Sequence, residues 1–213
     1  MRQKDSKTAP ARRGRPRAYD AEAALKQATE TFWKSGYSGT SLDSIAAATG
    51  MNPPSLYAAF GNKHAIYLEA LAHYWEISLA ATREALAEDR PLDEALMLAY
   101  EAALSIYFSG KGNARGCFVV GTAVTEAVED AAIRNSIAAG TRLIDADFEA
   151  RFRLAQERGE LKHDCDPAAL AILASATLHT IAIRARSGAR RAELREVARK
   201  AVSVICGCRE KAS

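Results

Sequence analysis

Apolar residues recur at helical spacing along nearly the whole chain, and no segment shows the two-residue alternation of a half-buried strand. Asp20 predicts the cap of a first helix running to about Gly36, with Leu25, Ala28, Thr31 and Phe32 turned inward. From about Lys63 a long helix carries Leu68, Leu71, Trp75, Leu79, Thr82 and Leu86 on one stripe, and Pro91 ends the gap after it. Leu96, Ala99, Tyr100, Ala103, Leu104, Tyr107 and Phe108 form the broad face of the next helix, which stops at Gly110-Lys111-Gly112-Asn113. Residues 117–128 predict a short apolar helix. Ile133, Ile137, Thr141, Ile144, Phe148, Phe152 and Ala155 mark a long amphipathic one to about Arg158. Asp166 and Pro167 start another, and the last carries Leu194, Val197, Ala198, Ala201, Val202 and Ile205. The expected fold class is all-α.

Residues 40–63, TSLDSIAAATGMNPPSLYAAFGNK, predict two short helices joined by a tight turn. Thr40 is the expected first cap, with Asp43 three places on as an approximate capping box. Leu42, Ile45 and Ala46 give one apolar face, and Gly50 falls where a left-handed backbone ends a helix. Asn52 caps the second helix, Pro53 occupies its first turn, and Leu56, Ala59 and Phe60 supply its inward face. Ala46 and Ala47 are small enough for the two helices to cross closely. This is the layout of a helix-turn-helix, whose second helix can enter a DNA major groove. An ordinary helical hairpin has the same spacing.

Charge shifts the balance between those readings. Residues 1–17 contain Arg2, Lys4, Lys7, Arg12, Arg13, Arg15 and Arg17 against Asp5 alone. The first 63 residues hold ten Lys/Arg and five Asp/Glu, whereas the remaining 150 hold nineteen and twenty-one. Positive charge gathered beside the hairpin fits an electrostatic footprint on phosphate. Gly14 and Pro16 oppose helix formation between Arg13, Arg15 and Arg17, so these guanidiniums can line a narrow A·T-rich minor groove.

The helix predicted from Asp166 to about Arg186 is the odd one. Leu170, Ile172, Leu173, Leu178, Ile181 and Ile183 cover nearly its whole circumference, and such a helix must be buried on more than one side. It is either the centre of a monomeric bundle or part of a subunit contact. A helix-turn-helix working on a two-fold DNA site favours the contact. The expected dimer interface is Leu170, Leu173, Thr177, Leu178 and Ile181 together with Leu194, Val197, Ala198, Ala201, Val202 and Ile205.

At 213 residues and 48% hydrophobic content the chain can bury a sizeable core, which excludes disorder for most of its length. The first thirty residues lack the apolar segment of a secretory signal. The longest nearly apolar run, 168–183, falls short of the roughly 20 residues needed to cross a bilayer. Cys117, Cys165, Cys206 and Cys208 form no CxxC pair and have no histidine at zinc spacing. Reduced thiols in a cytoplasm are expected, with no membrane partner, no metal and no cofactor.

Enzyme chemistry finds little to build on. His64, His73, His163 and His179 are scattered, and there is no HExxH, GxSxG, Walker loop or GxGxxG. Cys117 is the only conceivable nucleophile, and a small buried hydrophobe is its expected role. A ligand cavity is easier to argue, with Tyr100, Tyr107, Phe108, Cys117, Phe118 and Thr122 as an apolar wall with polar tips. Glu126 and His179 are polar groups in apolar helices. Each either finds a structural partner or solvent, or meets a ligand.

Phe32, Gly36, Tyr37, Thr40, Ser41, Ile45, Ala46, Gly50, Ser55, Leu56, Tyr57, Phe60, Lys63 and Leu71 closely resemble the N-terminal signature of the TetR (tetracycline-repressor-like) transcriptional regulators. The resemblance covers roughly residues 18–72, and Pro53-Pro54 depart from the commoner small or polar residues. It implies a basic arm over 1–17, a three-helix DNA-binding domain over 18–63 and a larger helical effector-binding and dimerisation domain over 64–213. It further implies that Thr40 and Ser41 contact phosphate, and that Asn52, Pro53, Pro54 and Ser55 face the groove. Tyr57 would reach backbone or base, and Lys63 would hold a phosphate. The expected partners are a palindromic double-stranded operator, a second copy of the chain and a small-molecule effector. The expected activity is repression relieved by that effector. The rival reading is an all-helical enzyme or scaffold with a hairpin that does not bind DNA.

Overall fold

A computed structural model describes residues 20–87, 89–110 and 114–207, and among these no strand occurs. Residues 1–19 with Arg13, Arg15 and Arg17, residues 111–113 and Cys208 lie outside the described residues. The helices are α1 (Ala21–Ser35), α2 (Leu42–Thr49), α3 (Pro53–Phe60), α4 (Lys63–Ala85), α5 (Leu92–Tyr107), α6 (Phe118–Thr122), α7 (Ala131–Glu157), α8 (Pro167–Arg186) and α9 (Arg191–Cys206). The segment expected as one helix over 117–128 is broken. α6 ends at Thr122, and a separate 3-10 turn spans Glu126–Val128.

Local chemistry explains most helix ends. Asp20 accepts from the N–H groups of Glu22 and Ala23, and Asp166 from that of Ala168 with Pro167 beside it. At α2 the cap is Ser41 rather than Thr40. Ser41 and Ser44 form a reciprocal box, each hydroxyl accepting from the other's backbone N–H, so Asp43 plays no part in it. Gly50 ends α2 at φ 65°, a left-handed conformation that favours glycine.

α1–α3 pack as a head on the start of α4, and α4–α9 form the body. Inward faces follow the expected stripes with small rotations. α1 buries Ala24, Ala28, Thr29, Phe32 and Trp33, leaving Leu25 and Thr31 half-buried. α3 buries Leu56 and Phe60, while Ala59 is exposed. Gly140 lets α7 cross α4 closely, because a Cβ there would sit 2.2 Å from the Trp75 ring.

α8 spans 20 residues and by length and composition could cross a membrane, which corrects the shorter span expected from its apolar run. In the fold it packs between α7 and α9, and 44% of its apolar window is buried. Leu170, Leu178 and Ile181 face the protomer's own core, as do Leu194, Ala198, Val202 and Ile205 of α9. These seven expected interface residues are therefore core residues. Leu173 is 55% exposed, and Thr177, Val197 and Ala201 are half-buried. The exposed apolar positions of α8 are Ala169, Ile172, Leu173, Ala176 and Ile183, a stripe at helical spacing, with Val204 exposed on α9.

Candidate nucleic-acid interface

α3 is short, and each of its ends is set by a local signal. The Asn52 side chain accepts from the Ser55 N–H at 2.9 Å, Pro53 and Pro54 fill positions with no partner to lose, and Gly61 terminates the helix. Leu56 and Phe60 anchor the inner face, so Asn52, Pro54, Ser55, Tyr57 and Ala58 are presented outward, with Pro53 half-buried. Tyr57 is 53% exposed and so lies outside the core. The outer face carries no charged side chain. It offers hydroxyls from Ser55 and Tyr57, the Asn52 amide and several small apolar groups. Such a face suits base edges and thymine methyls more than phosphates.

Two residues expected at phosphate do other work. Thr40 is 1% exposed, and its hydroxyl donates to the Gly36 carbonyl at 2.7 Å, so that hydrogen is used within the protein. Lys63 donates to the carbonyls of Tyr37 (3.1 Å) and Thr40 (3.0 Å), with its ammonium 4.2 Å from the centre of the Tyr37 ring. Lys63 thus closes the α1–α2 turn onto α4, and one of its three N–H donors remains for a phosphate. Ser41 is exposed while capping α2.

The head is coupled to the body by aromatic packing. Tyr67 meets Phe32 edge-on at 5.0 Å, Trp33 meets Tyr74 at 5.3 Å and Phe118 at 5.4 Å, and Tyr67 stands 5.8 Å from Phe118. Burial raises the phenol pKa of Tyr67 and Tyr74, so both stay neutral. Polar links reinforce this seam. Ser38 donates to Glu126 at 2.8 Å, and His64 Nε2 lies 2.6 Å from the Asp130 carboxylate, which also caps α7. Backbone N–H bonds and His64 hold the Asp130 pKa below the ordinary carboxylate value. Arg115 pairs with Glu30, and its guanidinium lies 3.8 Å over the Trp33 ring.

The expected ligand wall is dispersed. Phe118, Thr122 and Glu126 belong to the seam, Thr122 through a 2.8 Å hydrogen bond with Tyr67. Tyr100 is buried elsewhere and donates to the Ala174 carbonyl at 3.2 Å, and Phe108 is half-buried at the end of α5. Tyr107, Cys117 and His179 do meet, around an inner cavity of about 20 Å³ that Tyr74 and Leu178 also line. That volume holds about one water and no organic ligand. Cys117 is buried, takes a hydrogen bond from the Tyr74 hydroxyl at 3.1 Å, and has its thiol pKa raised by burial. This is the inert hydrophobe expected of it. Burial lowers the His179 pKa, with the Asp145 charge opposing. Among the described residues no three His, Cys, Asp or Glu side chains are placed to hold a metal.

The family model of bacterial regulatory proteins, tetR family, matches residues 24–70, and that of the tetracyclin repressor-like C-terminal domain matches residues 94–202. The chain belongs to the TetR family. It is 32% identical over 188 residues to the HTH-type transcriptional repressor ComR of Escherichia coli (strain K12), covering 87% of this chain and 89% of that protein. The repressor BdcR of the same organism is 35% identical over 107 residues, covering 50% of this chain and 54% of that protein. Among solved structures, a cysteine mutant of the TetR family regulator CifR, complexed with 26 bp double-strand operator DNA, superposes with a TM-score of 0.79. It is 33% identical and covers 88% of this chain and 98% of that one. In this TetR-family regulator α3 is the second helix of the helix-turn-helix, and its outer face is exposed.

Proposed function

We propose that two copies of this chain bind a two-fold operator, repress transcription there, and release it when a small molecule occupies the body. The observation that carries the reading is the outward face of α3. Its Asn52, Pro54, Ser55 and Tyr57 are exposed although both ends and the inner face of the helix are fixed. Repression is taken from ComR and BdcR, and operator DNA from the CifR complex. The functional division follows residues 1–17 as a basic arm, 18–63 as the DNA-binding domain and 64–213 as the body. The apolar stripe of α8 with Val204 supplies the subunit contact. The protein works in the cytoplasm and catalyses no reaction.

The test is an electrophoretic shift with the DNA upstream of the gene, repeated across salt, for the full chain and for a chain lacking residues 1–17. The full chain should bind as a dimer with steep salt dependence. Truncation should weaken binding and flatten the slope by about 0.9 for each phosphate that is no longer neutralised. Binding indifferent to sequence and to truncation would overturn the reading.

A further inference from the structure

The seam between head and body contains a cleft of about 560 Å³, large enough for a drug-sized molecule and far roomier than the inner cavity. Trp33 of α1 lines one side, and Tyr74 and Ile77 of α4 with Ile106 of α5 line the other. Ile77 is a large aliphatic side chain left exposed there. Two donors in the lining, Trp33 Nε1 and Arg115 Nε, are shut off from solvent and have no hydrogen-bond partner among the described residues. A buried donor without an acceptor is unfavourable, so an incoming acceptor supplies the hydrogen bond these atoms lack. The Arg115 guanidinium lies 3.8 Å from the centre of the Trp33 ring, with its two outer nitrogens held by Glu30 and Ser109, so both unpartnered donors sit at one place in the cleft. Tyr74 and Ile106 also line the inner cavity, which makes them the partition between the two spaces.

We infer that this cleft is a ligand site for a largely apolar small molecule bearing one hydrogen-bond acceptor, a carboxylate, sulfonate or carbonyl. The apolar part lies against Ile77, Ile106 and Trp33, and the acceptor meets Arg115 and Trp33. A molecule seated there touches α1 on one side and α4 and α5 on the other, so its affinity differs between head orientations. Such a difference is what an allosteric ligand requires. The consequence for DNA rests on the regulator reading above; the site does not.

The probe is 1-anilinonaphthalene-8-sulfonate, titrated into the full chain without DNA. Of the two tryptophans, Trp75 is changed to Phe so that Trp33 alone reports. We expect saturation at one probe per protomer, with Trp33 emission quenched as probe emission rises. Ile77→Arg, at an exposed position, should weaken binding at least tenfold with unchanged circular dichroism. Ala81→Val, which narrows the inner cavity, should leave binding intact. If Trp75→Phe fails to fold, the same two variants are compared in the two-tryptophan protein by probe emission. Probe binding indifferent to Ile77→Arg, or abolished by Ala81→Val, would overturn the site. A second titration follows release of operator DNA by the same probe. Seam binding without release would leave the site standing and count against effector control through it. Release without seam binding would overturn the site.

Discussion

α3 and α8 both leave large side chains in water, yet the two surfaces differ in their chemistry. On α3 the exposed face is short, mixed and hydrogen-bonding, with Tyr57 and Ser55 among small residues and Asn52 at its start. On α8 it is long and mainly aliphatic, with Thr180 among the apolar groups, running through Ile172, Leu173 and Ile183 toward Val204 of α9, which is 74% exposed. Base edges require directional groups that reach into a groove, and a subunit contact requires apolar area that excludes water. Exposure alone therefore does not identify a partner, whereas the chemistry between the exposed apolar groups does.

The comparison breaks most visibly at Leu173. Leu173→Asp on the exposed stripe should give helical monomers that bind operator about 10²-fold more weakly, since joint engagement of two half-sites is lost. Leu178→Asp, on the same helix but buried, should instead destabilise the protomer by placing an unpaired charge in its core. Light scattering with thermal melts separates the two, and a Leu173→Asp protein that remains dimeric would sink the assignment. On the other surface, Tyr57→Ala should weaken operator binding about tenfold while the dimer persists, the size expected of one base contact. Equal loss on random DNA would make Tyr57 a backbone contact.

Smaller effects sharpen the boundary between reading and holding. Lys63→Met removes two hydrogen bonds to carbonyls and should lower stability by about 1–3 kcal/mol. It should weaken binding to all sequences alike. A selection from random DNA checks this, because an altered preferred sequence would place Lys63 among the reading residues. The smallest effect is at His179, whose folded pKa lies below its ordinary value. The unfolded chain then binds a proton more readily than the folded one. Stability is present above the ordinary histidine pKa near 6.5 and falls as pH drops through it toward the lowered value. His179→Gln should reduce the fall in melting midpoint between pH 8 and pH 5. An unchanged pH profile would assign the acid sensitivity to other groups.

Where a residue acts within its own turn of helix, sequence reasoning located it. Asp20, Gly50, Asn52 and Asp166 all end or begin helices as expected, because caps and left-handed turns depend on neighbours two to four places away. Even there the one-residue shift from Thr40 to Ser41 went unread, although the Ser41-x-x-Ser44 spacing was its signal. The shift matters for function, since it leaves Thr40 buried with its hydroxyl hydrogen given to Gly36.

By itself the sequence determined the all-α class, the succession of helices, the helix-turn-helix with its outward α3 and the membership its motifs suggested. Each depends on periodicity, capping and charge read within a few residues. Only the tertiary structure decided which side of an all-apolar helix is core, because α7 and α9 choose the face of α8 they cover. Only it joined Ser38 to Glu126 and His64 to Asp130 across 88 and 66 residues of chain, and laid Arg115 over Trp33. Those pairings follow from packing whole helices against one another, a long-range competition for buried area that no local pattern records.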